Sequence, residues 1–246
     1  MIKTTTIVPT TGNPKLEYAL KSLANQTINA RTYIVIDGEQ YKDKVYEILK
    51  NEDIQDYVKH NCSVCCLPNN TGKDGWYGHR IYSSFPYLID TEYISFLDED
   101  NEYEKNHIEM CERVMESDKS LDWCYSLRKI VSNDGEFLCN DDCESLGYFW
   151  NPYHPVKYQL IDTNCYFLKT ITACQNSKNF YKKDIGDREY FYGLMRNRFN
   201  GVCTGLYTVR YRLGNKEASA REDFFRFGNA YIKGLYNDSY PWRKQQ

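Results

Sequence analysis

Two carboxylates, Asp98 and Asp100, follow a short apolar segment near the middle of the chain. Residues 92–97 before them are typical of a buried strand. Ligands of open α/β sheets bind at the carboxyl ends of the strands, and hard divalent cations prefer oxygen ligands such as carboxylates. The pattern therefore favours a metal site shared with a substrate's phosphates. The alternative is a solvated acidic turn or the first turn of the next helix, because acids also favour helix N-termini.

A third carboxylate, Asp37, follows another predicted strand at residues 33–36. A carboxylate at the end of an early strand can accept hydrogen bonds from a ribose or a base. The Asp98 and Asp100 pair could then hold a metal that neutralises a pyrophosphate leaving group. Asp37 beside Gly38 is also the composition of an ordinary turn. Three acids in this order on one sheet edge favour the nucleotide-binding interpretation.

The elements that must position these acids can be predicted from the first hundred residues. Residues 4–8 are β-branched and predict a strand that Pro9 ends, and Asn13 and Pro14 mark a helix start. Further strands are predicted over 33–36, 62–67 and 92–97, and further helices over 41–58 and 80–88. This alternation predicts an α/β fold with a mostly parallel, Rossmann-like sheet and helices on both faces.

The second half of the chain has a less regular pattern. Predicted helices cover 106–115, 188–198 and 218–236, predicted strands cover 123–131, 159–168 and 202–211, and residues 133–156 are loop-rich. The chain lacks internal repeats and linker-like composition. We therefore expect a single domain over 1–246 with two functional halves, residues 1–101 and residues 102–246.

Composition narrows the class of protein. The chain has 246 residues, a formal charge of -3 and no dense Lys/Arg segment, which argues against nucleic-acid binding. Met1 leads directly into strand-like sequence without a secretory signal, and no segment reaches the length of a transmembrane helix. These features predict a soluble, cytoplasmic protein.

The ten cysteines are spread along the chain, and one tight cluster contains Cys62, Cys65 and Cys66. This cluster lacks a second Cys or Cys/His pair at zinc-binding spacing and lies in a predicted strand. The cysteines are therefore expected to be free, mostly buried thiols.

Common nucleotide and hydrolase fingerprints are missing. No Gly-x-Gly-x-x-Gly follows a predicted strand, and Leu67 and Asp74 stand where a P-loop around Gly72 and Lys73 would need Gly and Ser/Thr. A Gly-x-Ser-x-Gly nucleophile elbow is also missing. The sequence thus argues against hydride transfer, P-loop ATP hydrolysis and serine esterase chemistry.

Several short segments occur in a characteristic order: Ile7-Val8-Pro9-Thr10, Leu20-Lys-Ser-Leu23-Ala-Asn-Gln26-Thr27, Val35-Ile36-Asp37-Gly38, Asn70-Thr-Gly72 and Phe96-Leu-Asp98-Glu-Asp100-Asn101. Together they resemble the GT-A glycosyltransferases, in particular the inverting enzymes of the family 2 type, over roughly residues 3 to 200. Two segments depart from the family pattern. Gly78-His79-Arg80 stands in place of Ala-Arg-Asn, and Gly186-Asp187-Arg188-Glu189 replaces a Glu-Asp pair.

The resemblance implies a set of residues for the donor. Thr10, Thr11 and Asp37 would hold the base and ribose, and Asp98 and Asp100 would meet the ribose and a Mn²⁺ or Mg²⁺ ion. Arg80 is a candidate pyrophosphate contact, since its forked donors suit phosphate, although a surface or salt-bridged arginine is an equal alternative. The full predicted donor set is Pro9, Thr10, Thr11, Asp37, Gly72, Trp76, Arg80, Asp98 and Glu99.

The resemblance also implies a catalytic base at Asp187, with Glu189 as the next candidate. Displacement at an anomeric carbon needs a carboxylate that takes the proton of the acceptor hydroxyl. The alternative for Asp187 is a simple cap, because it opens a predicted helix.

Other side chains could complete the site. Some enzymes of this fold add a late histidine to the metal, and His154 is placed for that role, whereas His107 is expected to pack or cap at a helix start. Trp76, Trp150 and Tyr153 could stack on sugar faces or belong to the core.

The expected function is metal-dependent, inverting transfer from a nucleotide sugar, with UDP-sugar favoured, to a hydroxyl acceptor such as a glycan. A non-catalytic carbohydrate- or nucleotide-binding protein on the same fold is one alternative. A sugar nucleotidyltransferase is the other, although residues 9–15 lack the Gly-rich, basic opening loop that such an enzyme needs.

Overall fold

Four parallel strands build the first half of the sheet in the computed structural model, which describes residues 1–149, 159–214 and 221–243. Their order is β3-β2-β1-β4, and each neighbouring pair is parallel. The central strands are almost fully buried, as the apolar and β-branched segments predict. The strands are β1 (Thr4–Thr10), β2 (Arg31–Ile36), β3 (Cys62–Cys66) and β4 (Tyr93–Phe96).

Pro9 does not end β1, contrary to the prediction. It pairs with Val35 of β2, and the strand continues through Thr10. Pairing between β1 and β4 ends at Ile7 and Phe96, so β1 has a partner on one side only at Pro9. Because a strand position without a neighbour on one side tolerates the missing N–H, proline is accommodated there.

Four helices connect these strands: α1 (Leu16–Ala24), α2 (Lys42–Leu49), α3 (Gln55–Asn61) and α4 (His79–Ser84). The single helix predicted over 41–58 is wrong, since α2 and α3 are separate. Between them the Asn51 side chain accepts a hydrogen bond from the Asp53 backbone N–H at 2.9 Å. Such a local side-chain bond offers the backbone a turn instead of a continued helix.

The second half extends the same sheet in the order β4-β8-β6-β9-β5, with β7 paired to β6. Here the pairing is mixed, because β8 is antiparallel to both β4 and β6 whereas β6 and β9 are parallel. These strands are β5 (Glu102–Tyr103), β6 (Trp123–Val131), β7 (Phe137–Asn140), β8 (Tyr166–Lys169) and β9 (Gly201–Arg212). The helices are α5 (His107–Ser117), α6 (Thr170–Asn176), α7 (Gly186–Arg196) and α8 (Glu222–Tyr236).

Three features of this half differ from the prediction. The strand predicted over 159–168 is wrong in its first part, because a 3-10 turn at Thr163–Cys165 precedes the short β8. The predicted loop 133–156 contains β7, and α6 was not predicted. The class itself, an α/β fold on a largely parallel sheet, is confirmed.

The buried core runs along the whole sheet and contains many tyrosines and phenylalanines. The ten cysteines, all within the described residues, form no disulfide bonds, as predicted, but only four of them are buried: Cys111, Cys124, Cys143 and Cys165. Within the described residues, no helix is both long and apolar enough to cross a membrane.

Candidate active site

The predicted acids lie at one edge of the sheet. Asp37 directly follows β2, and Asp98 and Asp100 follow β4. Because β1, β2 and β4 are parallel, their carboxyl ends meet at this edge. The fold thus brings these carboxylates to the place where ligands of such sheets bind.

Asp98 is held by neutral donors. Its Oδ1 accepts from the Tyr82 hydroxyl at 2.7 Å, and its Oδ2 accepts from Asn164 Nδ2 at 2.9 Å. Asn164 also accepts from the Asp98 backbone N–H at 2.6 Å and donates to Asp162 at 2.7 Å. Burial, together with the charges of Asp100 and Asp162, raises the pKa of Asp98 to about 7.

Arg212 of β9 braces the backbone around Asp100. Its side chain donates from Nε to the Asp100 carbonyl at 3.2 Å, and its backbone N–H donates to Asn101 Oδ1 at 2.8 Å. Burial and the Glu99 charge raise the pKa of Asp100, whereas Lys15 opposes the shift. Strand β9 therefore fixes the position of residues 98–101, which we call the acidic turn.

The acidic turn fits a divalent cation through the chemistry of its donors. The Asp162 charge raises the pKa of both Asp98 and Asp100, and a cation would relieve that repulsion. Among the residues that the structure describes, no three His, Cys, Asp or Glu side chains converge in a metal-binding arrangement. Mg²⁺ needs only one or two carboxylates when phosphates supply the other ligands. His154, predicted as a further ligand, lies outside the described residues, as do Trp150 and Tyr153.

Asp37 accepts several hydrogen bonds from the loop that follows β3. Its Oδ1 accepts from the Thr71 backbone and hydroxyl at 2.7 and 2.8 Å, and its Oδ2 accepts from the Gly72 N–H at 2.8 Å. A Cβ at Gly72 would lie 2.3 Å from the Tyr77 carbonyl oxygen, so this position requires glycine. The structure therefore shows Asp37 and Gly72 as partners in one loop.

Glu99 organises the turn after β1. Its carboxylate accepts from the Thr10 hydroxyl, from the Thr11 N–H and hydroxyl at 3.1 and 3.0 Å, and from the Asn13 N–H at 2.9 Å. The predicted donor residues Thr10, Thr11 and Glu99 therefore do lie together. Pro9 lies beside them and against Gly78, whose Cβ position is 3.2 Å from the Pro9 ring.

Arg80 stacks on aromatic rings next to this loop. Its guanidinium lies 3.9 Å from the Trp76 ring centroid and 5.8 Å from that of Tyr181, and its Nη1 donates to the Thr71 carbonyl at 3.2 Å. The buried Arg80 Nε has no hydrogen-bond partner among the described residues. Trp76 also packs on Tyr181, with ring centroids 4.9 Å apart. The Trp76 ring, predicted to stack on a sugar or to belong to the core, therefore packs against protein side chains.

Asp187 opens α7 as predicted. Its carboxylate accepts from the Arg188 N–H at 2.8 Å and, within the described part of the chain, from no other group. Burial raises the pKa of Asp187; the Asp162 charge adds to this shift, and His79 opposes it. Asp187 is therefore a half-buried carboxylate near Asp162, with most of its hydrogen-bonding capacity open.

Glu189 lies on a different face of α7. Two residues along a helix differ by about 200° in direction, and the Glu189 side chain pairs with Arg196 at 3.4 Å. The structure thus does not bring Glu189 into the contacts of Asp187.

Sequence reasoning missed several residues of this site. Tyr82 and Asn164 donate to Asp98, and Asp162 accepts from Asn164. Arg212 donates to the backbone of the turn. They come from segments far from Asp98 in sequence and carry no local pattern, so only the tertiary fold reveals them. His107, predicted to pack at a helix start, does so by stacking on Tyr103 at 3.8 Å.

The sheet order and its acidic edge define the GT-A class of glycosyltransferase folds. The chain belongs to glycosyl transferase family 2, whose family model matches residues 5–173. This match ends before Asp187, so the proposed base lies beyond the segment that the family model describes. No curated relative matches the chain.

Solved structures of S. aureus TarS share the fold. The complex of TarS 1-349 with UDP-GlcNAc has a TM-score of 0.62 and 17% identity, and the match covers 97% of this chain and 68% of that one. The complex with UDP has a TM-score of 0.59 and 15% identity, covering 97% and 73% of the two chains. For another structure of TarS 1-349, the match spans 60% of its length. At these identities the likeness concerns the fold.

Proposed function

We propose that this chain catalyses metal-dependent, inverting transfer of a sugar from a nucleotide-sugar donor to a hydroxyl group of an acceptor such as a glycan. Membership of family 2 supports the reaction class. The TarS complexes with UDP-GlcNAc and UDP support a UDP-sugar as the donor. We further propose that residues 1–101 serve mainly the donor, that residues 102–246 of the same domain serve mainly the acceptor, and that the protein acts in the cytoplasm.

The acidic edge is suited to the donor's diphosphate. We propose that Asp100, supported by Asp98, would hold Mn²⁺ or Mg²⁺, and that Asp37, Thr10 and Thr11 would hold the base and ribose. When bound, the ion supplies Lewis-acid stabilisation of the negative charge that develops on the leaving diphosphate. The neutral donors around Asp98 and the Arg212 brace keep the acidic turn in a fixed geometry, which limits reorganisation during the reaction.

The observation that carries the proposal is the state of Asp187. In the proposed step, Asp187 takes the proton of the acceptor hydroxyl while that oxygen forms a bond to the anomeric carbon. The bond from that carbon to the diphosphate breaks on the opposite face, which gives inversion. A base is most effective when its pKa lies near the working pH, and burial shifts the pKa of Asp187 in that direction.

Asp187→Asn tests the base. We expect the rate of transfer to fall by about two to four orders of magnitude, the usual contribution of a general base. Donor affinity and melting temperature should stay the same, because asparagine can still accept the hydrogen bond from the Arg188 N–H. The measurement is kcat with a UDP-sugar and acceptor, together with calorimetric binding of UDP.

Glu189→Gln is the matched control, since it removes a nearby carboxylate of the same helix. We expect its kcat to remain within about threefold of wild type, because it changes a partly exposed pair with Arg196. An unchanged kcat in Asp187→Asn would reject Asp187 as the base. Loss of UDP binding in that variant would place Asp187 in the nucleotide site instead.

Asp100→Ala tests the metal site. A ligand that binds the native state raises the melting temperature by an amount that grows with the logarithm of its concentration relative to Kd. We expect UDP with Mn²⁺ to stabilise the wild-type protein, and expect chelation of the metal or the Asp100→Ala change to remove most of that stabilisation. Equal stabilisation of both proteins would reject Asp100 as a metal ligand. Release of pyrophosphate from a nucleoside triphosphate would favour a nucleotidyltransferase.

A further inference from the structure

His79 lies between residues 71–78, which we call the donor loop, and residues 180–186, which lead into Asp187. It is the first residue of α4, directly after the loop 71–78 whose start is held by Asp37. Its side chain is only 7% exposed and contacts Phe180, Lys182 and Gly186. A buried histidine between these two segments can hold one segment in a fixed position relative to the other.

Two contacts fix this histidine against the segment before the base. His79 Nδ1 lies 2.8 Å from the Lys182 carbonyl oxygen. Since a carbonyl only accepts, Nδ1 carries the proton in this bond. The imidazole ring also covers Gly186, where a Cβ would lie 2.6 Å from Nδ1. Gly186 immediately precedes Asp187, so the ring rests on the backbone that carries the base.

Two neighbouring contacts join the same two segments. The Asp184 N–H donates to the Gly75 carbonyl at 2.8 Å, and the rings of Trp76 and Tyr181 pack 4.9 Å apart. We call this set of contacts between residues 75–79 and 180–186 the loop–base seam. Among its members, His79 is the one that touches the residue adjacent to Asp187.

We propose that His79 is a positioning residue that fixes the backbone of Asp187 through Lys182 and Gly186 and thereby ties the base to the donor loop. This inference rests on the proposed function, because it takes Asp187 as the base. Among the residues that the structure describes, the carboxylate of Asp187 accepts one hydrogen bond, from the backbone N–H of its neighbour Arg188. Its location therefore depends on where the seam holds the start of α7.

The chemistry of His79 suits this role. Burial lowers the pKa of His79, so the ring is neutral at pH 7 and keeps its Nδ1–H for Lys182. The neutral, flat ring can lie this close to the Cα of Gly186 because glycine has no Cβ; any other residue would place a Cβ 2.6 Å from Nδ1. Small displacements of a catalytic group matter, since a shift of about 1 Å can cost about 10²-fold in rate.

Three substitutions of His79 separate the two contacts. His79→Ala removes both, His79→Phe keeps a ring without the donor, and His79→Asn keeps an N–H near the place of Nδ1. We expect His79→Ala to lower kcat by about 10- to 100-fold while the affinity for UDP with Mn²⁺ stays within about twofold. His79→Asn should recover a larger part of kcat than His79→Phe if the Lys182 bond dominates, and a smaller part if the ring contact dominates. If neither His79→Asn nor His79→Phe has a higher kcat than His79→Ala, the proposal is contradicted.

The same changes in an Asp187→Asn background give the decisive comparison. A positioning residue has nothing left to position there, so His79→Ala should cost little further kcat, as expected for residues that act as a unit. Gly186→Ala should lower kcat in the wild-type protein and add no further loss when His79 is already alanine, because the ring it would strike is gone. His60→Ala, an exposed histidine of α3, is the control and should leave kcat unchanged.

The outcomes distinguish the two levels of inference. If Asp187→Asn keeps wild-type kcat, the proposed base is rejected and the role of His79 falls with it. If Asp187→Asn is inactive but His79→Ala turns over normally, only the role of His79 is rejected. Equal losses of kcat, UDP affinity and melting temperature in all His79 variants, or full additivity with Asp187→Asn, would show a merely structural role and would also overturn it.

Discussion

Asp98 lies in an environment that differs greatly from that of a free carboxylate in water. Tyr82 and Asn164 donate to its two oxygens, and within residues 1–149, 159–214 and 221–243 no cationic side chain pairs with it. Burial and the nearby Asp100 and Asp162 therefore raise its pKa to about 7. In the absence of metal, the folded protein keeps a proton on Asp98 that the unfolded chain would release near pH 3.8.

This proton predicts a pH-dependent stability. Between about pH 4 and about pH 7 the folded state binds more protons than the unfolded state, so the Asp98 contribution to the free energy of unfolding falls as pH rises. The limiting slope for one proton is about 1.4 kcal/mol per pH unit. Asp98→Asn removes this titration. We expect its free energy of unfolding, relative to wild type, to rise through this pH range and to level off above it.

Urea unfolding at several pH values, in metal-free buffer, measures the difference. Asparagine also changes the bond to Asn164, which adds an offset that is independent of pH. The slope of the difference is therefore the informative quantity. Parallel stability curves for the two proteins would mean that Asp98 ionises like an ordinary aspartate.

The acids of the site could be predicted because each directly follows a strand. Asp37, Asp98 and Asp100 stand at the ends of apolar segments, and the parallel order of strands brings such ends together. Asn164 and Arg212 could not be found this way. Their contacts to the turn span 66 and 111 residues, and neither lies in a sequence pattern that marks a site.

At the level of the loop, Gly72 should matter for the donor rather than for overall stability. Gly72→Ala would place a Cβ 2.3 Å from the Tyr77 carbonyl oxygen and 2.9 Å from Asp37 Oδ2. The loop must then move away from Asp37. We expect the affinity for UDP to fall at least about tenfold, equivalent to about 1.4 kcal/mol, as measured by calorimetry.

Gly234→Ala is the matched control for that change. Gly234 lies on the exposed side of α8, and a Cβ there meets nothing within 4 Å. Alanine should raise the free energy of unfolding by about 0.5–1 kcal/mol through its better helix propensity, without altering UDP binding. Equal UDP affinity in both variants would show that the loop does not form the donor site.

Elements with a strong local pattern were predicted best. The strand over 123–131 matches β6 residue for residue, because a long apolar segment buried on both faces leaves little ambiguity. The helix over 41–58 failed since the apolar positions of α2 and α3 both fit helical spacing, and the turn at Asn51 interrupts them. The short β5 and β7 are defined by their partners β9 and β6, which local sequence does not encode.

At the scale of the whole molecule, Arg128 joins β6 to the segments behind the site. Its guanidinium is buried and pairs with Asp141 and Asp162 at 2.7 Å each, and with Glu144. Arg128→Met would leave these carboxylates without a cation. We expect a loss of about 3–5 kcal/mol in the free energy of unfolding, typical of breaking a buried pair, measured by urea denaturation.

Arg113→Met provides the comparison, because its pair with Glu109 is on the surface. Such pairs contribute little, so the free energy of unfolding should change by less than about 0.5 kcal/mol. Asp162 links Arg128 to Asn164 and so to Asp98. Arg128→Met should therefore also weaken UDP binding in any fraction that remains folded. Similar stability losses in the two variants would contradict a central role for Arg128.

The Arg212 brace has a consequence for how the protein is made. On the ribosome the acidic turn emerges early, while the strand that carries Arg212 follows 111 residues after Asn101. That strand must then pair in parallel with β6 and insert beside β5, a long-range step that is slow compared with local folding. A nascent chain therefore exposes its carboxylates well before it can hold them in place. The donor site matures only after the strand that carries Arg212 has been synthesised and paired.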